Sequence, residues 1–188
     1  MRAGRIKELR GTGEVQRNAR SIAATMGMPI LLGDKLQTSR QSSLTVELTD
    51  GSQLLLSDTS SMVIDRTTTN TADSMVDLFK GKLRSIVNLV AGKQRAFEIH
   101  TPNAVASVRG TDFETEYIEG RPCPGFPRCL RYTDVGVYKG IVEVRNPTSS
   151  RKVSVQVAAG YETTVPCELQ PATPGPLGMG DLMAPGYH

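Results

Sequence analysis

Apolar and polar positions alternate with a period of two along most of the chain. In SLTVELTDGSQLLL, Leu44, Val46 and Leu48 alternate with polar residues, Asp50-Gly51 marks a tight turn, and Leu54 and Leu56 resume the alternation. That pattern predicts a strand, a turn and a strand. Phe97 and Ile99 alternate in RAFEIHTP, Val142 and Val144 in GIVEVRNP, and Val153, Val155 and Val157 in RKVSVQVAAG. The stretch SMVDLFKGKLRSIVNLVAGK is ambiguous. It reads as a strand up to Phe79 and a turn at Gly81, but Leu83, Ile86, Val87 and Val90 also stand at helical spacing. A strand is the favoured reading.

Glycines precede extended apolar patterns at Gly13, Gly33, Gly51, Gly81, Gly110, Gly140 and Gly160. The spacing is too uneven for a strict repeat. It predicts a chain that turns a corner at glycine every one or two strands, as in solenoid-like β architectures or a β-sandwich with uneven loops. The expected fold is therefore all-β, a single domain of short strands with glycine corners, solenoid-like or alternatively a sandwich, with few or no helices. Residues 1–10 read as a leader, 11–167 as the domain, and the Pro- and Gly-rich 168–188 as a tail or linker with Leu177, Leu182 and Met183 as its anchors.

VASVRGTDFE raises the question of a catalytic or phosphate-binding loop. Ala104, Ala106 and Val108 share one strand face, whereas the bulky Phe113 and Tyr117 fall at odd offsets from Val108. The apolar parity switches, and Gly110 is where a bulge or positive φ is easiest. A phosphate cradle needs several converging amides and a following helix, and a nucleophile needs a base; neither pattern accompanies Thr111. Arg109, Gly110 and Thr111 read as a structural motif in which Gly110 makes the corner, Thr111 bonds nearby backbone and Arg109 meets a carboxylate. Asp50 and Gly51 read likewise as a structural turn. An enzyme using His100, Asp112 and Glu114 is disfavoured, and no catalytic residue, metal site or cofactor is expected. The methionines Met26, Met28, Met179 and Met183 read as packing or tail residues.

Composition narrows the picture further. The 188 residues hold no Trp, 5 Tyr and 4 Phe, so the core is aliphatic. A net charge of +3 is too small to indicate nucleic acid. No apolar run approaches the roughly 20 residues that span a bilayer. The three cysteines change more. Cys123 and Cys129 flank a Pro-Gly loop in RPCPGFPRCLRY, which suggests a Cys123–Cys129 disulfide and an oxidising compartment; pairing of either with Cys167 is the main alternative.

The segments GEVQ, LLGDKLQTSRQSSLTVELTDGSQLLL, FKGKLRS, FEIHTPNAVASVRGTDFETEY, VGVYKGIVEVRN and VSVQVAAGYET stand in an order that resembles the FecR domain over roughly residues 11–165. The most specific pieces are GDKLQT, LTDGS and TPNAVASVRGT. The resemblance implies a non-catalytic, extracytoplasmic β-domain, in the family a signalling module that relays transporter occupancy towards an anti-sigma segment. The chain departs from signalling members by showing no transmembrane or anti-sigma region, and by the insertion at 119–134. Within that insertion Phe126, Arg128, Arg131 and Tyr132 are the candidate contact surface for a protein or cell-envelope partner. A glycan- or cell-wall-binding domain is the alternative; the scarcity of aromatics for sugar stacking counts against it.

Overall fold

The computed structural model describes residues 1–65, 72–89 and 96–178. Val90, Met179, Leu182 and Met183 lie outside that set. Seventeen strands account for the regular structure, and no helix occurs among the described residues. They are β1 (Arg2–Arg10), β2 (Gly13–Arg17), β3 (Arg20–Ala23), β4 (Pro29–Leu31), β5 (Lys35–Thr38), β6 (Ser43–Leu48), β7 (Gln53–Leu56), β8 (Ser61–Asp65) and β9 (Ala72–Ile86). There follow β10 (Ala96–His100), β11 (Val105–Val108), β12 (Asp112–Glu119), β13 (Arg131–Lys139), β14 (Ile141–Arg145), β15 (Ser154–Ala158), β16 (Tyr161–Pro166) and β17 (Gly175–Pro176).

The strands join into one open mixed sheet. Its hydrogen bonding separates into two runs. The first is β4-β1-β6-β7-β9-β12-β13-β16-β17. The second is β3-β2-β5-β8-β9-β10-β11-β14-β15. Only the β9–β10 pair is parallel among the described strands. The two runs bury one aliphatic cluster that includes Ile6, Leu54 and Phe113 from the first and Leu36, Ile99 and Val142 from the second.

The chain passes back and forth between the runs, and glycines with positive φ mark the crossings: Gly11, Gly33, Gly81, Gly110, Gly140 and Gly160. β9 belongs to both runs. Met75–Leu78 pair with β8 in the second run, and Leu83–Ile86 pair with β7 in the first. Gly81, at φ +83°, stands between. A Cβ there would lie 1.9 Å from Ser60 Oγ and 2.9 Å from Ser60 Cα, so the close approach itself requires glycine. The corner flips the buried parity from Val76 and Leu78 to Leu83 and Val87; the helical spacing of Leu83, Ile86 and Val87 arises because Ile86 is an apolar residue on the exposed face, 40% accessible.

Residues 1–10, expected as a leader, are part of the fold. They form β1, pair with β4 and β6, and bury Ala3 and Ile6. The start of the C-terminal segment is also part of the fold. Ala172 N–H donates to Thr164 O at 2.9 Å, Leu177 N–H to Gly160 O at 2.9 Å, and β17 pairs with β16. Pro176 lies in the two-residue edge strand β17, with Pro171 and Pro174 just before it, and a proline lacks the N–H that further pairing would use.

Candidate interaction surface

The insertion predicted as a contact surface is the elongated tip of the β12–β13 hairpin. Its backbone folds on itself: Gly120 N–H donates to Leu130 O at 2.8 Å, Cys123 N–H to Cys129 O at 2.8 Å, and Cys129 N–H to Phe126 O at 2.9 Å. Ile118, Cys123, Cys129 and Tyr132 form a small cluster of their own, with Cys167 packed against it.

The disulfide is Cys129–Cys167, with Cα atoms 5.8 Å apart, and not Cys123–Cys129. Cys123 is a buried free thiol, and burial pushes it above the usual thiol range. The reason for the pairing is tertiary. β13 pairs with β16 with Tyr132 opposite Pro166, so the next residue, Cys167, arrives beside the loop and donates its N–H to Arg131 O at 3.0 Å. Cys167 itself has a positive φ of 43°. Two buried asparagines hold it there. Asn103 Nδ2 donates to Cys167 O at 2.9 Å and to Val165 O at 2.9 Å, and Asn146 Nδ2 donates to Cys167 O at 2.8 Å and to Leu169 O at 2.7 Å. Thr133 Oγ1 fixes the Asn103 amide by donating to its Oδ1 at 2.6 Å. TPN and VRN carry these asparagines in the sequence, but only the fold shows that both aim at Cys167.

An open groove of about 510 Å³ lies between the loop and the 167–169 segment, with Phe126, Pro127 and Arg128 on one wall and Cys167, Glu168 and Leu169 on the other. Phe126 and Leu169, which line the groove, are 40% and 49% exposed, and Leu130, next to Cys129, is 53% exposed. Arg128 is exposed and has no ion pair among the described residues. Arg131 pairs with Glu168 across the rim. Tyr132, expected as a contact, is only 8% exposed and belongs to the supporting cluster.

The VRGT stretch turns the chain from β11 to β12. Gly110 has φ +117°, and the buried parity passes from Ala104, Ala106 and Val108 to Phe113 and Tyr117. Two details differ from expectation. Arg109 is exposed and makes no ion pair among the described residues. The Thr111 hydroxyl is buried without a hydrogen-bond partner among the described residues; it is the Thr111 carbonyl that accepts from Val87 N–H at 2.8 Å. Gly51, at φ +82°, makes the β6–β7 turn, and Asp50 Oδ1 accepts from Ser52 N–H at 2.8 Å.

Of the polar residues considered for catalysis, His100 stands in the second run, and Asp112 and Glu114 stand together in the first. His100 Nε2 lies 2.7 Å from Glu98 Oε2 on β10, in the second run. Asp112 accepts two bonds from Arg84, each of 3.0 Å, on the first. Glu114 is 3% exposed, lies 3.4 Å from Lys82 Nζ and accepts from Tyr138 OH at 2.6 Å. Burial raises the Glu114 carboxyl above its ordinary range even though Tyr138 and Lys82 oppose the shift. The carboxylate is enclosed between the Lys82 ammonium and the Tyr138 hydroxyl. Among the described residues no cluster of His, Cys, Asp and Glu is arranged to hold a metal, and no helix is long and apolar enough to cross a membrane.

Comparison with known proteins agrees with this architecture. No curated protein matches the chain. Two crystal structures of a "putative anti-sigma factor" from Parabacteroides distasonis ATCC 8503, at 2.50 and 1.65 Å, align with TM-scores of 0.53 and 22% identity. The alignment covers 70% of this chain and 54% of that one, so this chain spans about half of that protein. At such identity the likeness carries the fold alone. The FecR protein family matches residues 34–143, which is more than half of the sequence and runs from Asp34 of the GDKLQT motif through the VRGT corner into β14. The chain belongs to the FecR family.

Proposed function

We propose that the protein is a non-catalytic signalling module that works outside the cytoplasm and binds a protein partner through the stapled hairpin tip. Membership of the FecR family carries this reading. The fold shared with a protein described as an anti-sigma factor points the same way. The Cys129–Cys167 bond supports an oxidising compartment, because such bonds persist outside the reducing cytosol. Passage of the chain between two runs at glycine corners supports a coiled, solenoid-like scaffold, which presents hairpin tips without disturbing its core.

The contact surface is the groove wall of Phe126 and Arg128 with the exposed Leu130 and Leu169 beside it. Phenylalanine and arginine are among the residue types enriched in protein interfaces. The test is a transcript profile of the native cell carrying Phe126→Ala with Arg128→Glu, beside a deletion of the gene. A regulon that shifts in both strains supports the proposal. A regulon that shifts on deletion but ignores the double variant removes the tip from the mechanism, and no shift in either strain removes signalling.

A further inference from the structure

Three cysteines meet at the hairpin tip, and only two are bonded. Cys123 is 2% exposed and packs with Cys129 in the cluster against which Cys167 also lies. Its N–H donates to Cys129 O at 2.8 Å. That bond sets the two backbones side by side, and both side chains belong to the same small buried cluster. Cys129 therefore has two cysteine neighbours, one bonded to it and one a thiol.

We propose that the tip is a thiol–disulfide exchange site. The Cys123 thiol loses its proton and attacks Cys129 Sγ. The Cys129–Cys167 bond breaks as the Cys123–Cys129 bond forms, and Cys167 leaves as a thiolate that takes up a proton. One S–S bond replaces another, so no oxidant or reductant is consumed. The product is a short ring closed within the loop, and the 167–178 segment loses its covalent tie.

Two opposing effects set the balance. The hydrogen bonds from Asn103 and Asn146 to the Cys167 carbonyl hold the long-range pairing in place. Chain entropy favours the short ring: closing a loop of six positions is easier than one of 38 by roughly fifteenfold for a flexible chain. When the asparagine clamp releases, the short ring gains. Burial of Cys123 keeps its thiolate scarce while the loop is closed, so exchange waits on loop opening. The exchange also governs the groove, because Cys129 and Cys167 tie its two walls together. A partner that draws away the 167–178 segment would be recorded as a changed bond. The site stands on the cysteine geometry and not on the signalling reading, so either can fail alone.

The test uses the purified full chain, oxidised and free of reductant, incubated at pH 8.5 and at pH 6. Samples are acid-quenched, unfolded, alkylated with N-ethylmaleimide and mapped by mass spectrometry. The expected result is alkylated Cys167 with a linked Cys123–Cys129 peptide, appearing faster at pH 8.5 and at a rate independent of protein concentration. Cys123→Ser removes the signal, and Asn146→Ala raises the exchanged fraction about tenfold by removing part of the clamp. Alkylation confined to Cys123 at all times in wild type, a Cys123–Cys167 peptide, or a concentration-dependent rate would each overturn the proposal.

Discussion

Replacing Gly81 by alanine tests the idea that β9 changes runs only because this position lacks a side chain. Three costs add. A non-glycine residue at φ +83° costs about 1–2 kcal/mol. The new Cβ meets Ser60 Oγ at 1.9 Å, Ser60 Cβ at 2.6 Å and Ser60 Cα at 2.9 Å, an overpacking that costs about 1–3 kcal/mol. Ser60 Oγ also accepts from Lys82 N–H at 3.0 Å, so its displacement strands a buried donor for about another 1–3 kcal/mol. The sum is about 3–8 kcal/mol, comparable with the whole stability of many domains. Gly33→Ala is the control. Gly33 has φ +86° but nothing within 4 Å of the added Cβ, so only the first cost applies. Urea unfolding of both variants under oxidising conditions gives the difference. A Gly81→Ala variant no more than about 1 kcal/mol below Gly33→Ala would refute the close-approach argument.

Other consequences can be checked in the same assay. Asp34 is 2% exposed and accepts from Arg17 at 2.8 and 2.6 Å and from Leu31 N–H at 2.8 Å; burial pushes its carboxyl up, but these bonds outweigh burial and hold it below the ordinary range. Its contribution is complete above the ordinary aspartate pKa and is lost as pH falls through the folded value, so Asp34→Asn should cost about 2–3 kcal/mol at pH 7 and progressively less in acid. Lys82→Met leaves the Glu114 carboxylate buried without its ammonium neighbour and should cost about 3–5 kcal/mol, with much of the loss recovered in Lys82→Met/Glu114→Gln. A loss independent of the second substitution would show that the pair is not the cause. Replacing Cys129 and Cys167 by serine opens a loop of 38 positions and should lower stability by about 2–4 kcal/mol in guanidinium titration, against no loss if the bond does not form.

The sequence reveals strands wherever the buried parity runs unbroken. Leu44, Val46, Leu48, Leu54 and Leu56 are all buried, and the turn between them falls at Asp50-Gly51. It hides them where geometry breaks the period. β1 carries a register shift between Ile6 and Glu8, so its apolar residues Ile6 and Leu9 stand three apart and the strand reads as a basic leader. β9 flips parity at Gly81, and the exposed apolar Ile86 beside the buried Val87 lends its end a helical spacing. Long-range partners are the other blind spot. Cys123 and Cys129 are near in sequence, but the β13–β16 register brings Cys167 to Cys129 instead. Phe126 and Arg128 reach the surface because the Pro-Gly tip cannot bury them, whereas Tyr132 sits on β13 where the tip folds over it. The burial of Glu114 against Lys82 left no sequence signal, since charged residues alternating on a strand normally face water.

The central claim is that the hairpin tip binds a protein outside the cytoplasm. A photo-crosslinking amino acid placed at Phe126 in the native cell tests it directly, with the same probe at Val153, exposed just before β15, as control. The account predicts one discrete protein adduct from Phe126 in the extracytoplasmic fraction, lost with Arg128→Glu and absent from Val153. Equal adducts from both positions, or none from Phe126, would contradict it.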